Sequence, residues 1–333
     1  AAVRAVVRTA LGKGIECVGI RRGWNGLINS DFFPMDSDSV SHILDRGGTI
    51  LFTARSEEFI NEGGRKKAVA TCKLLGLDGI VAIGGDGTFR GALELSRMGI
   101  PVVGIPATID NDIGCSNYTI GFDTACNTAI ECIDKLRDTM QSHERCSVVE
   151  VMGRHAGYLA LYVGIAVGAT AVLIPEREVD FQRDIVEKIR QARLAGTTHY
   201  MVVVAEGAIS KQDAALSKKE YKAKLAERTS PSIAYDLAHQ IEQATGRETR
   251  VAIPGHTQRG GAPDAQDRIF ASQCGVEAAL GALEGEYGYM VAQRNGRMCR
   301  VPLEEVAGKL KYVDPQSDLV REARALGISF GDE

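Results

Sequence analysis

Two short corners of the chain, Gly84-Gly85-Asp86-Gly87-Thr88 and Thr108-Ile109-Asp110-Asn111-Asp112, carry residue types that phosphoryl transfer needs. Glycines let successive backbone N–H groups close around phosphate oxygens, and a following helix N-terminus adds positive potential. A carboxylate beside such a loop, here Asp86, suits Mg²⁺, which takes one or two protein carboxylates together with substrate phosphates. A second carboxylate on the neighbouring corner could accept a hydroxyl proton. An aspartate between glycines also has a plainer reading as turn chemistry. The presence of Asp110 and Asp112 on the adjacent corner favours the catalytic one.

The elements that would position these residues are legible around them. Residues 79–83 (GIVAI) read as a buried strand leading into the first corner, with a helix from Phe89 onward. Residues 101–106 (PVVGIP) read as the strand leading into the second. A βαβ unit with parallel strands brings both corners to one carboxyl edge, where open α/β sheets bind ligands.

At 333 residues the chain is longer than one core normally supports, so two domains are expected. Apolar residues make up 44% and charged residues 25%, as in ordinary globular proteins, and the net charge of −4 offers no general attraction for nucleic acid or anionic membrane. Any phosphate site must be local. The cysteines form no C-x-x-C pair and no His-Cys metal spacing, so they read as reduced core residues. Residues 158–175 carry no charge, but their glycines and terminal proline read as a buried helix running into a strand and not a membrane span.

In chain order, residues 1–14 read as an amphipathic helix ending on Gly14, and 15–28 as a strand with a glycine-rich turn. An α/β domain that opens in a helix lacks the strand that should feed it, so the polypeptide is expected to extend upstream of Ala1. Residues 36–73 read as helix, strand and helix, with TILFTARS (49–56) as the strand and Arg55 near its exit. Residues 125–142 read as an amphipathic helix. CSVVEVMGRHAGYLAL (146–161) repeats the strand, glycine turn and helix, which suggests a second domain built like the first. Residues 171–176 and 200–208 read as strands leaving Glu176 and Glu206 at their carboxyl ends. Residues 208–248 read as long, charged helix with a solvated face, and 248–268 as strand, arginine- and histidine-bearing loop, then helix. The QDR segment, 266–268, reads as ordinary helix surface.

GGDGT (84–88), PATIDND (106–112), YTIGFDTA (118–125), SVVEVMGRHAGYLAL (147–161) and PGHTQRGG (254–261) together resemble the 6-phosphofructokinases of the bacterial, ATP-dependent type, in order from residue 1 to about 300. GGDGT alone also occurs in lipid and NAD kinases, whereas TIDND with VMGRHAG and GHTQRGG is specific. The resemblance implies two Rossmann-like three-layer α/β domains with mainly parallel sheets facing a shared cleft. Residues 1–121 with about 260–300 would bind the donor, and 122–259 with about 301–333 the sugar phosphate. It also implies an N-terminal strand and phosphate loop that lie upstream of this sequence.

Carried over by motif, Asp86 would hold Mg²⁺ on the phosphates, with Gly85, Gly87 and Thr88 around the nucleotide. Asp110 would take the proton of the fructose 6-phosphate C1 hydroxyl, supported by Thr108 and Asp112. Arg55 and Arg154 would steady the moving phosphoryl group, the largest task in a loose transition state. Met152, Gly153 and Glu206 would hold sugar hydroxyls. His256 and Arg259, with Arg145 and Arg250 of a neighbouring subunit, would bind the 6-phosphate, since arginine meets phosphate with paired charge-assisted hydrogen bonds. Trp24 stands where a ring could stack on adenine, with a structural tryptophan as the alternative. Partners would be ATP and fructose 6-phosphate in a cytoplasmic, glycolytic homotetramer.

Pyrophosphate-using members of the family typically carry Asp after GGD and Lys between Pro and Thr. Gly87 and Ala107 stand there in this chain, small and uncharged, leaving room for ATP. Pyrophosphate as donor, or a non-catalytic sugar-phosphate-binding subunit, are the alternatives. Arg4, Arg8 and Arg137 match basic effector-site positions, but Ala195, Thr197 and Thr170 replace charged ones, so regulation by ADP and phosphoenolpyruvate is expected to be weak or altered.

Overall fold

The computed structural model describes residues 1–227 and 230–330. The chain opens with α1 (Ala2–Leu11), β1 (Cys17–Ile20), α2 (Gly23–Ile28), β2 (Phe32–Met35), α3 (Glu57–Ile60), α4 (Glu62–Leu74), β3 (Ile80–Gly84), α5 (Asp86–Arg97) and β4 (Val102–Pro106). It continues with α6 (Phe122–Ser142), β5 (Cys146–Val151), α7 (Tyr158–Ala166), β6 (Ala171–Leu173), β7 (Glu178–Val179), α8 (Glu187–Leu194) and β8 (Tyr200–Ala205). β9 (Ile209–Ser210), α9 (Lys211–Ala214), α10 (Lys218–Glu227), α11 (Ile233–Thr245) and β10 (Thr249–Ala252) follow. The chain closes with α12 (Ala265–Leu283), β11 (Tyr289–Arg294), β12 (Arg297–Pro302), α13 (Leu303–Val306) and α14 (Asp318–Ala325).

Two compact units result, Ala1–Thr124 with Arg259–Lys311, and Ala125–Gln258 with Tyr312–Glu333. The first is built on a four-stranded sheet of order β12-β11-β4-β3, with β11, β4 and β3 parallel and β12 antiparallel to β11. Alternation along β4 sends Val102 into a core with Phe89, Ala92 and Leu95 of α5 and Ala68 and Cys72 of α4. Val103 and Ile105 enter the opposite core, with Phe270, Cys274 and Ala278 of α12 and Ala2 of α1. Both faces of the sheet are thus covered, the condition under which parallel strands are stable. Gly104 lets Phe89 lie on the sheet, since a Cβ there would fall 2.8 Å from its ring.

The second unit has a wholly parallel sheet of order β10-β5-β8-β6. Val148, Leu173, Val202 and Val204 pack against Ile185, Ile189, Leu237 and Ile241. Across the sheet, Gly164 brings α7 so close that a Cβ would meet Val172 at 2.2 Å. The uncharged run 158–175 divides into α7 and β6, and no helix among the described residues is long and apolar enough to cross a membrane.

Several elements differ from the sequence reading. Residues 49–56 form no strand; Arg22 N–H donates to the Leu51 carbonyl, and Phe52 turns with φ 56. An isolated extended segment without a ladder partner has no reason to stay a strand. The helix expected from Asp36 is a single turn, Asp38–Val40, although Asp36 does accept the Ser39 N–H at 2.8 Å. The charged stretch 208–248 breaks into β9, α9, α10 and α11, with 228–229 outside the described residues. Residues 301–311, expected with the second domain, fall in the first unit, where β12 pairs with β11 as far as Pro302 and Gly308 and Lys311 bond to Asp86 and Asp112; residues 122–124 and Arg259, expected with the second domain, fall there too. The last residues of that expected segment, 331–333, lie outside the described residues.

Candidate functional site

In the first unit the two acidic corners are neighbours by strand pairing. Gly84 lies opposite Pro106 in the parallel register of β3 and β4, and Ala107 N–H donates to the Gly84 carbonyl at 2.9 Å. A Cβ placed on Gly85 would stand 3.7 Å from Thr108 Cβ. Gly84 itself must lack a side chain, since a Cβ would meet Thr88 Oγ1 at 2.2 Å. Gly85 precedes α5 and Asp86 is its first residue, so the carboxylate sits where the helix dipole favours negative charge. Asp86 Oδ1 accepts the Gly308 N–H at 2.6 Å, and Oδ2 pairs with Arg90 Nε at 2.7 Å. Gly87 is exposed, with open space where a side chain would stand.

Beyond β4 the chain curls into a hydrogen-bonded loop. Thr108 Oγ1 accepts the Asp110 N–H at 3.3 Å, and the Thr108 carbonyl accepts the Thr119 hydroxyl at 2.7 Å. Buried Asn111, held at φ 49, donates to the Asn117 carbonyl at 3.3 Å. Asp110 and Asp112 are both half-buried. Lys311 donates its backbone N–H to the Asp112 carbonyl at 2.7 Å and its ammonium to the Ser116 carbonyl at 2.9 Å. Desolvation pulls the Lys311 ammonium down to about 8, against the raising effect of the Asp112 carboxylate.

Asp267, read from the sequence as helix surface, is buried and braces the far end of this loop. Its carboxylate accepts Gly121 N–H at 2.6 Å, Thr124 N–H at 3.0 Å and the Thr124 hydroxyl at 2.6 Å. Asp123 beside it has its carboxyl pushed up, first by desolvation, then by Asp264 and Asp267, while a hydrogen bond with Tyr118 opposes the shift.

Of the other first-unit candidates, Arg55 and Arg259 are exposed. Gly261 lies against Gly47, where a Cβ would meet the Gly261 carbonyl at 2.1 Å. Trp24 does not stand open at a rim. Its ring is stacked on Phe59 at 5.0 Å and 10°, and its edge lies over Gly91, whose added Cβ would meet Nε1 at 2.5 Å. Those contacts are structural and occupy one face of the indole.

The second unit places Met152, Gly153, Arg154 and Glu206 at the carboxyl ends of β5 and β8, whereas Arg145 and Arg250 lie at the opposite, amino end of that sheet. Gly153 turns with φ 130, where a Cβ would meet the Ala156 carbonyl at 2.7 Å. Gly207 N–H donates to the Gly153 carbonyl at 3.2 Å, and Gly207 must be glycine because a Cβ would meet the Arg154 carbonyl at 2.0 Å. Arg154 and Glu206 are exposed at these turns, with Glu206 N–H bonded to the Val151 carbonyl at 2.9 Å. Met152 N–H donates to Oε1 of buried Gln258 at 3.3 Å, while Gln258 donates to the Gly255 carbonyl at 3.1 Å. Gln258 therefore ties the Met152–Arg154 turn to the loop bearing exposed His256. The sequence reading passed over it, although it lies inside the GHTQRGG motif.

Arg145 and Arg250 converge on one carboxylate. Glu248 accepts from Arg145 Nε at 2.6 Å and from Arg250 Nη2. Hydrogen bonding from Arg145 holds the Glu248 carboxyl below its ordinary range. Glu176, left unassigned by the sequence, caps α7: it accepts Gly157 N–H at 2.9 Å and Val313 N–H at 2.8 Å.

The donor set at Asp86 fits a divalent ion held largely by substrate phosphates. It presents one carboxylate at a glycine-rich helix start, and each of its oxygens keeps a second lone pair beyond the bond it already accepts. Among the described residues no cluster of three or more His, Cys, Asp or Glu side chains offers a cage of its own.

Comparison with known proteins identifies the family and the fold. The family model described as phosphofructokinase matches residues 1–281. An ATP-dependent 6-phosphofructokinase of Clostridium botulinum is 48% identical over 95% of this chain and 92% of that protein. One from Clostridium novyi is 46% identical over 96% of this chain and 93% of that protein. A solved structure of phosphofructokinase from Saccharomyces cerevisiae superposes with a TM-score of 0.80 at 33% identity, covering 91% of this chain; the chain spans 43% of the yeast chain's length.

Proposed function

The chain belongs to the phosphofructokinase family, and from that premise we propose that it phosphorylates the C1 hydroxyl of fructose 6-phosphate with ATP, giving fructose 1,6-bisphosphate. The observation that carries the reading is the parallel register of β3 and β4, which sets the Asp86 turn beside the Thr108–Asp112 corner. A family of ATP-dependent kinases needs a divalent metal, and the single carboxylate at Asp86 suits Mg²⁺. When bound, the ion supplies positive charge to the phosphate oxygens.

In the proposed mechanism the first unit binds the donor, and the sugar phosphate is held mainly by the second. Gly85, Gly87 and Thr88 receive the nucleotide phosphates through backbone N–H groups at the start of α5. Asp110 accepts the C1 hydroxyl proton as that oxygen bonds to the γ-phosphorus and the bond to ADP breaks. Thr108, bonded to the Asp110 N–H, and Asp112 hold the corner in place. Arg55 and Arg154 neutralise charge on the transferring group. Glu206 and the Met152–Gly153 turn orient sugar hydroxyls. His256 and Arg259, with Arg145 and Arg250 from a neighbouring copy, hold the 6-phosphate. That sharing implies a homo-oligomer, with a tetramer as the family pattern, and the reaction suits a cytoplasmic enzyme of glycolysis. Trp24, whose indole is stacked on Phe59 through one face, keeps both its readings, a ring against adenine or a structural tryptophan.

The open space at Gly87 supports ATP over pyrophosphate, because no side chain fills the ground a longer donor must cross. Turnover of the two donors at saturating fructose 6-phosphate and Mg²⁺ tests this. ATP is expected to be the faster substrate by at least about tenfold, a barrier difference near 1.4 kcal/mol. Faster turnover with pyrophosphate would reverse the donor assignment, and no product with either would remove the kinase reading.

A further inference from the structure

The segment Gly308–Lys311 touches both acidic corners of the first unit, although no motif in it drew attention. Gly308, at φ 77, donates its N–H to Asp86 Oδ1 at 2.6 Å. The chain then runs alongside the loop after β4. Leu310 bridges Ile113, and the Lys309 carbonyl accepts the Gly114 N–H at 3.2 Å. Lys311 closes the span through its N–H on the Asp112 carbonyl at 2.7 Å. Its ammonium donates to the Ser116 and Asn117 carbonyls at 2.9 and 3.5 Å. We infer that Gly308–Lys311 is a strap that sets the spacing between the Asp86 carboxylate and the Asp110–Asp112 corner, with Lys311 as its positioning residue.

The physical need for such a strap follows from where the sheet stops. Ladder bonds between β3 and β4 end at Gly84 and Pro106. Asp110 lies beyond that edge, on a loop that turns through Asn111 at φ 49. An in-line transfer requires the ion-holding carboxylate and the base to address one phosphorus atom, and a misplacement near 1 Å can cost about 100-fold in rate. Loops carrying such groups need outer contacts that lock them. The strap supplies these from one short stretch: a donor aimed at the Asp86 carboxylate at one end, and a cation among loop carbonyls at the other. The glycine fits this use, since φ near 77 is a conformation that side-chain-bearing residues rarely adopt.

This inference rests on the kinase reading, and its test separates the two. Steady-state kinetics on the full chain would compare Lys311→Met, an insertion of one glycine between Lys309 and Leu310, and Lys309→Ala. The last is a control, because that exposed residue contributes only its backbone. Lys311→Met and the insertion are expected to lower kcat about 10- to 100-fold while KM for ATP and sugar phosphate stays within about threefold. Because a partly unfolded population would also lower apparent kcat with KM unchanged, kcat is referred to the folded fraction, measured by denaturant unfolding under assay conditions. Either variant, folded by circular dichroism, with kcat near wild type overturns the strap, as does a loss carried by KM alone. If Lys311→Met fails to fold, the insertion decides by the same criterion. An insertion variant that cannot fold counts against a spacer and for a folding element. An inactive wild type would instead strike at the kinase reading itself.

Discussion

Asparagine at position 267 would test how much a single buried carboxylate contributes to the first unit. Asp267 is 1% exposed, and its oxygens meet three donors: Gly121 N–H on Oδ1, and the Thr124 N–H and hydroxyl on Oδ2. Asparagine offers one acceptor and one donor end. Turned to satisfy Thr124, it points its amide N–H₂ at the Gly121 N–H, so one charge-assisted bond is lost and one donor is stranded. A hydrogen bond to a charged group contributes about 1.5–3 kcal/mol, which puts Asp267→Asn at about 2 kcal/mol. For a unit of this size that corresponds to a fall in Tm of roughly 4–8 °C. Asp267→Ala strands all three donors and should cost about 4 kcal/mol. Thermal unfolding by calorimetry reads both. A double-mutant cycle with Thr124→Val, which removes only the hydroxyl, should show a coupling of about 1 kcal/mol. A fall below about 2 °C for Asp267→Asn, or strict additivity in the cycle, would refute this account of the loop's anchoring.

Three further outcomes are expected. Asp110→Ser should lower kcat by about 10²–10⁴-fold with little change in sugar-phosphate affinity, since it removes a general base and leaves the phosphate contacts; an unaltered kcat ends the assignment. Arg259→Ala should chiefly raise KM for fructose 6-phosphate, by about tenfold for a lost charge-assisted phosphate contact, and an unchanged KM contradicts its role. Asp123 should make stability depend on pH. Its folded-state pKa is raised above 3.8, so the folded protein takes up that proton at a higher pH than the unfolded chain does. Stability therefore increases as pH falls through the raised value and levels off below the unfolded one. Asp123→Asn should flatten that slope in denaturant titrations run upward in pH from the unfolded value of 3.8; a slope equal to wild type would show the carboxyl is not responsible.

The two acidic corners were legible because each follows an apolar run and is written in glycine and aspartate within a few residues. The hairpin of β11 and β12 carried a signal that went unread: Asn295-Gly296 sits at its turn with φ 51 and 75, the left-handed pair that favours Asn-Gly. Gln258 lay within a recognised motif, yet nothing local revealed that its amide would reach Met152 across the fold. The arginines 145 and 250 were singled out individually, while the glutamate that gathers them drew no notice, because a charged residue near a strand start ordinarily reads as solvated surface.

Composition, periodicity and short motifs by themselves determined the α/β class and most of the parallel strands, and the resemblance to a known family supplied the residues proposed for catalysis, because those signals are local in the chain. Only the tertiary structure decided the contacts between distant segments. Asp86 meets Gly308, Asp267 meets Gly121, and Trp24 turns inward onto Phe59. The same holds where a strand was expected at 49–56, since extended backbone becomes a strand only when another strand lies alongside to share its hydrogen bonds. Pairing of that kind depends on what the folded chain brings near, and neither a residue's type nor its immediate neighbours encode it.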